Sequence, residues 1–140
     1  MWKISLATLG LSLVLGGCAA SLHQLSKDSS PELLRGEFLR GQQNRLVLES
    51  AEQKYIAEGF EVHRHTNRAE LQKRYRNLNS KHWDRIFAGL DRNHETYSAE
   101  PAPKSAENAE LTCQLGWGAG KTPQGVCRNN AGAEYQVRFD

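Results

Sequence analysis

The first 17 residues have the pattern of a segment that is removed before folding. They therefore limit the folded domain to the residues that follow them. After Met1-Trp2-Lys3, the segment 4–15 carries no charge and is mostly apolar, and two glycines and a cysteine follow it. One positive charge, an apolar stretch of about a dozen residues and a small-residue exit are typical of a cleavable secretory signal peptide. A membrane-spanning helix needs about 20 apolar residues. The sequence therefore predicts a signal peptide over residues 1–17 and a fold built from the rest.

The exit from this segment, Leu15-Gly16-Gly17-Cys18, resembles the lipobox of bacterial lipoproteins, with a leucine three positions before the cysteine and small residues directly before it. In that family the cysteine thiol is joined to diacylglycerol, the signal is cut before it, and the new amine is acylated. The resemblance covers residues 1–19 and implies lipidation, including palmitate, at Cys18. Two or more acyl chains, at about 0.8 kcal/mol for each buried CH₂, anchor a protein stably. Ala19 stands where an inner-membrane lipoprotein carries Asp, so the resemblance implies the outer membrane, on its periplasmic side. The alternative is an ordinary signal peptide with a chance cysteine.

The other two cysteines predict a structural disulfide. An exported chain enters an oxidising compartment, in which a pair of cysteines normally forms a bond. With Cys18 assigned to lipid, Cys113 and Cys127 remain. In the chain-entropy model a loop of about 15 residues contributes on the order of 3 kcal/mol. A metal-binding or redox-active pair would need a closer spacing such as C-x-x-C.

The charge of the chain is small but unevenly distributed. The formal net charge is +2 and falls to +1 when Lys3 is removed with the signal, so nothing indicates a nucleic-acid partner. Residues 35–92 contain nine arginines and three lysines against eight acidic residues, a net charge of +4. Such a bias is most often a solvated helix face and less often a docking surface for an acidic partner or lipid headgroups. The candidate partner-binding residues are Arg64, Arg68, Arg74 and Arg76.

Periodicity in the first two thirds of the chain favours helices. Residues 18–30 are polar and indicate a lipidated tether, and Ser29-Ser30-Pro31-Glu32 has the composition of a helix start. Apolar residues at helical spacing predict helices in 31–44 and 45–58. Asn67-Arg68-Ala69-Glu70 resembles a second capping box and opens the clearest helical pattern, which ends at Leu90 and includes a weak stretch at 77–80. The sequence thus predicts two or three helices over residues 31–90.

The last third of the chain favours strands. Residues 91–110 are rich in proline, alanine and charge and predict an extended linker. Alternating apolar residues and turn residues in 111–140 predict a small antiparallel β-meander, with Cys113 and Cys127 on the inward face of adjoining strands. The predicted fold class is α+β, with N-terminal helices followed by a disulfide-linked β-meander.

Three patterns bear on chemistry. Gly118-Ala-Gly-Lys-Thr looks like the tail of a phosphate-binding P-loop, but Leu115 stands where the motif needs glycine, so a turn is the better interpretation. His63 and His65 would share a strand face as two metal ligands, but no further ligand is close in sequence, and structural histidines are favoured. No nucleophile comes with a base and an orienting group. The sequence therefore predicts neither an enzyme nor a cofactor or metal.

The expected function is that of a non-enzymatic periplasmic lipoprotein, anchored in the outer membrane, that acts as an adaptor or assembly factor for an envelope complex. In outline this architecture is similar to secretion-system pilotins, although no motif carries that similarity. The alternative is a periplasmic ligand-binding or inhibitor module that uses the C-terminal β-hairpin, and a minor enzyme of the cell wall is a third possibility. Function in the helical residues 45–90 would favour the adaptor, and function in residues 111–139 would favour the ligand module.

Overall fold

Strands, not helices, are the main secondary structure of the described residues. The structure, a computed structural model, describes residues 20–140, so the predicted signal peptide and the lipidation site Cys18 lie outside the described residues. Its elements in chain order are β1 Ser21–Gln24, β2 Leu33–Arg40, β3 Arg45–Ser50, β4 Lys54–Glu58, β5 His63–His65, α1 Arg68–Arg74, α2 Ser80–Phe87, β6 Thr96–Ala99, β7 Leu111–Gly118, β8 Gln124–Asn129 and β9 Glu134–Arg138.

The strands form two antiparallel sheets in which sequence neighbours are also spatial neighbours. The first sheet has the order β1-β2-β3-β4 and the second the order β5-β6-β7-β8-β9. Single β-bridges join the sheets at both margins of the first one, Leu25 with Phe139 beside β1 and Ile56 with Lys104 beside β4. The two sheets therefore face each other and share their edges.

Two layers of apolar side chains hold this arrangement. Between the sheets, the fully buried ring of Phe38 lies 5.6–5.8 Å from those of Phe60, Trp117 and Phe139. The other face of the second sheet packs against the helices, where Leu71, Tyr75 and Ile86 surround Gly116. The buried Tyr75 hydroxyl donates to the carbonyl oxygens of Ala99 and Leu115, so it ties α1 to β6 and β7.

The predicted helices over residues 31–58 are wrong, and with them the predicted α+β fold class. This segment forms β2, β3 and β4, and Ser29 and Ser30 do not cap a helix but bond to β9: the Ser29 hydroxyl donates to the Arg138 carbonyl at 3.2 Å. In β3, Leu46 and Leu48 face the inner core, yet Val47 is also buried on the opposite face. A run that is apolar on both faces fits helical and strand spacing equally well.

The predicted tether and linker are also ordered parts of the sheets. Residues 21–24 of the expected tether form β1, and the following turn lies along β9, where the Ser26 amide donates to the Arg138 carbonyl at 2.7 Å. The expected linker 91–110 contains β6 and continues beside β7, where the Pro101 carbonyl accepts from the Cys113 amide at 3.0 Å. Both Pro101 and Pro103 are buried. Proline can lie along the edge of a sheet because its carbonyl still accepts.

Three local predictions are confirmed. The Asn67 side chain caps α1 by accepting from the Glu70 amide at 3.1 Å, and the helical pattern breaks before α2, which begins at Ser80. Residues 111–140 form the antiparallel meander β7-β8-β9. Cys113 and Cys127 occupy directly opposed positions on β7 and β8 and form the disulfide, both fully buried.

No helix within residues 20–140 is long and apolar enough to cross a membrane.

Candidate functional site

Two of the four arginines predicted to bind a partner are paired within the chain. Arg64 on β5 donates from Nε and Nη2 to the two carboxylate oxygens of Glu95, at 2.6 and 3.2 Å. Arg74 at the end of α1 holds Glu100 in the same bidentate way, at 2.5 and 3.0 Å. These hydrogen bonds raise the pKa of both guanidinium groups. Both side chains are therefore engaged by acidic partners of their own domain.

The other two predicted arginines contact no carboxylate of the described residues. Arg68 lies over the Phe87 ring at 5.8 Å, and its Nη1 donates to the Leu90 carbonyl at 2.9 Å. Arg76 is exposed, and its Nε reaches only the Lys73 carbonyl, at 3.4 Å. Three of the four arginines thus take part in holding the fold, and the structure does not assemble the set into one free basic patch.

One histidine of the pair, His65, bonds to a neighbouring strand. His63 and His65 share β5, and His65 Nε2 lies 2.8 Å from the Ser98 hydroxyl of the neighbouring β6. Burial lowers the pKa of His65, so this imidazole is neutral near pH 7. Within residues 20–140, His, Cys, Asp and Glu side chains form no group of three or more that could hold a metal ion.

The strongest candidate site is an open cleft of about 480 Å³ beside α2. It lies between the C-terminal half of that helix, the β7–β8 turn and the outward face of β9. Ile86 and Ala88 supply an apolar part of the lining. The charged groups that line it are Arg85, Lys121, Arg138 and Asp28, and the neutral polar ones are Thr122, Gln124 and Gln136. Three cations against one carboxylate give the cleft a net charge of +2, and we refer to it below as the basic cleft.

The β7–β8 turn brings Lys121 to the mouth of the basic cleft. The Lys121 amide donates to the Gly118 carbonyl at 2.9 Å, and Gly120 has a φ of +78°, which a residue with a side chain adopts only with strain. The Phe139 amide donates to the Pro123 carbonyl at 2.9 Å and fixes the far side of the turn. The predicted turn at this position is confirmed, and it presents an exposed ammonium group.

Arg85 is held in place from two sides. Its guanidinium Nη2 hydrogen-bonds to Nδ1 of the buried His82, and its carbonyl accepts from Gln124 Nε2 at 2.8 Å. Burial lowers the pKa of both groups, which leaves His82 neutral and Arg85, with its very high ordinary pKa, still charged. A neutral imidazole that accepts at Nδ1 carries its proton on Nε2, which lies 3.4 Å from Glu134.

Glu134 completes this supporting cluster. Arg128 Nη2 donates to its carboxylate at 2.9 Å and is the main reason why the pKa of Glu134 is lowered. The row of Arg128, Glu134, His82 and Arg85 brings β8, β9 and α2 together, but His82 Nε2 makes no hydrogen bond within the described residues and contacts Glu134 only at 3.4 Å. Arg85 lines the basic cleft with its guanidinium held by His82 and the Lys81 carbonyl, whereas Lys121 and Arg138 are exposed and can adjust to a ligand.

The cleft is suited to binding an anion. Guanidinium groups donate in a planar fork that matches carboxylate or phosphate oxygens, and an ammonium group adds a mobile charge. One cation is already partly neutralised, because Arg138 Nη1 lies 3.2 Å from Asp28. The cysteines of the described region are bonded to each other, so neither supplies a thiolate. The arrangement offers binding groups for an acidic ligand.

Sequence reasoning missed two of the three cations that line this cleft. Lys121 stood out within Gly-Ala-Gly-Lys-Thr, but Arg85 and Arg138 are 53 positions apart and belong to no motif. The fold brings them together because α2 packs on β8, which pairs with β9. The comparisons with known proteins give no further guide: no family model, no curated protein and no solved structure shows significant similarity to the chain.

Proposed function

We propose that this chain is a non-enzymatic lipoprotein, anchored through Cys18 in the outer membrane on its periplasmic side, that binds an acidic ligand in the basic cleft. The observation that carries the proposal is that Arg85, Lys121 and Arg138 line one cleft in which Asp28 is the only acidic lining residue among residues 20–140. This function corresponds to the ligand-binding module predicted from the C-terminal hairpin, extended by a cation from α2.

A second candidate function, an adaptor for an envelope protein complex, is supported by a different surface. The two helices cover the second sheet only, and the outer face of the first sheet carries no helix within residues 20–140. Two large apolar residues are exposed on the first sheet, Leu22 at 54% and Leu34 at 63%. A protein partner would bury these two leucines. The arginines beside the helices are already paired within the chain and offer few free charges to such a partner.

Lipidation can be tested by replacing the proposed acceptor. The variant Cys18→Ser should lose incorporation of labelled palmitate and appear as an uncleaved or soluble form, because the hydroxyl does not replace the thiol as the acceptor of diacylglycerol. The measurement is metabolic labelling followed by membrane fractionation. Continued incorporation of palmitate by the variant would contradict the anchor.

The basic cleft can be tested with inorganic phosphate as the probe. In NMR titrations of the protein, phosphate should shift the backbone amide signals of residues 120–124, and the effect should weaken as sodium chloride is added because salt screens exposed charges. The variant Lys121→Gln should bind more weakly with an unchanged melting temperature. Lys73→Gln, which removes an exposed charge on α1, is the matched control and should titrate like the wild type. Signal shifts spread over the whole surface, or equal effects of both variants, would contradict a site in the cleft.

A further inference from the structure

The basic cleft and the entry of the chain into the fold lie at the same end of the molecule. Residue 25 of the chain pairs with Phe139, and the Asp140 amide donates to the Gln24 carbonyl at 2.8 Å. Phe139 in turn bonds to Pro123 in the β7–β8 turn. From this level β1 runs back towards Ser21 in the direction in which the turn projects. The start of β1, the C-terminus and the turn with Lys121 therefore share one end.

The distance from the proposed lipid to this end is short. Strand β1 begins at Ser21, three positions after Cys18. Three residues span at most about 10 Å even when fully extended. The predicted tether of residues 18–30 would have let the domain drift away from the bilayer, but the structured β1 does not. An acyl anchor at Cys18 therefore holds this end of the domain, with the mouth of the basic cleft, against the membrane surface.

The residues at this end fit a phospholipid surface. Leu22 is half exposed on β1, and Arg40, which pairs with Ser21 in the register of the first sheet, is exposed as well. Near an anionic bilayer each lysine or arginine gains roughly 1 kcal/mol of attraction, and the gain is confined to about a Debye length. The cleft adds Lys121 and Arg138 at this end, and Arg85 also lines it.

We propose that the basic cleft binds the phosphate group of an anionic phospholipid in the bilayer that carries the anchor. This inference rests on the proposed anchor at Cys18 and on the proposed anion site. A bound headgroup would fix the domain in one orientation, because the acyl chains and the cleft would hold it at two separate points. A phospholipid headgroup and dissolved inorganic phosphate both present a phosphate anion, so the test includes both sources.

The test measures the reactivity of the Lys121 amine in the lipidated protein. The protein is reconstituted into vesicles of phosphatidylcholine alone or mixed with phosphatidylglycerol, treated with an acetylating reagent and analysed by mass spectrometry. A third sample has phosphatidylcholine vesicles with inorganic phosphate in solution. We expect phosphatidylglycerol to slow the acetylation of Lys121 by more than about fivefold, the factor that the attraction of a single cation to an anionic surface accounts for.

Two variants separate the cleft from the general surface potential. Arg138→Gln removes a cleft cation whose exposed pairing with Asp28 contributes little stability, and it should abolish most of the slowing. Arg40→Gln removes a cation at the same end but outside the cleft, and it should leave the slowing unchanged. Equal slowing in all three proteins would overturn the inference, because it would come from the surface potential alone.

The phosphate sample distinguishes the inference from the proposed function. Slowing by dissolved phosphate without slowing by phosphatidylglycerol would overturn the lipid as the source of the anion and leave the anion site in place. Slowing by neither would overturn both the lipid inference and the proposed ligand site. Loss of the protein from the vesicles would instead contradict the anchor.

Discussion

Replacement of Phe38 by alanine should lower the free energy of unfolding by about 3–5 kcal/mol, the range for removing a large aromatic side chain from a core. Phe38 is fully buried on β2, and its ring contacts one aromatic ring from the segment after β4 and two from the second sheet. Because the sheets share this cluster, the cavity would loosen both of them. Urea denaturation followed by tryptophan fluorescence gives the value, since Trp117 belongs to the same cluster.

Leu34→Ala is the control on the same strand. Leu34 is 63% exposed, so its truncation should change stability by no more than about 0.5 kcal/mol. A loss below about 1 kcal/mol for Phe38→Ala would mean that the two sheets do not share a core, since the smallest buried aromatic truncations exceed that value.

The variant Gly125→Ala should be at least as damaging as Phe38→Ala. A methyl group at Gly125 would lie 1.9 Å from the carbonyl oxygen of Gln114 and 3.0 Å from the Cα of Leu115, both in the backbone of the paired strand β7. Overpacking costs about 1–3 kcal/mol when side chains can yield, and here only the backbone can. The disulfide Cys113–Cys127, two residues along β8, restricts how far the two strands can separate.

Gly41→Ala provides the comparison for this substitution. Among the residues that the structure describes, its added methyl group would meet only the Ala20 side chain, at an ordinary 3.4 Å. We expect its melting temperature to match that of the wild type within a few degrees, whereas Gly125→Ala should fail to give soluble protein or should melt far lower. Similar melting temperatures for the two variants would contradict the close approach of β7 and β8.

The parts of the fold that could be predicted are those with a local physical signature. Asn67 with Glu70 identifies the start of α1 because the cap is formed within four residues. The cysteine pair predicts a disulfide because the number of cysteines and the expectation of export are enough to assign it. Strands β2 to β4 could not be separated from helices, because Val47 is buried on the face opposite to Leu46 and Leu48, so the simple alternation of a half-exposed strand is absent.

The candidate site was less accessible to prediction than the fold. The charge count drew attention to the arginines between residues 64 and 76, but a count does not show that Arg64 and Arg74 pair with Glu95 and Glu100, the two residues that flank β6. The basic cleft needs residues from α2, a turn and the last strand. Their proximity follows from the sheet order, and a single sequence does not reveal sheet order.

The bridge between the first and last strands also determines when this chain can fold. Ser29 and Ser30 bond to Arg138 and Gln136, partners more than 100 positions away. Synthesis proceeds from the N-terminus, and contacts so distant in sequence are slow to form. The first sheet therefore keeps an open margin at β1 until the final five residues are available. The margin at β1 stays unpaired for as long as residues 136–140 are held back, and a truncation that removes them should leave residues 24–30 without their backbone partners.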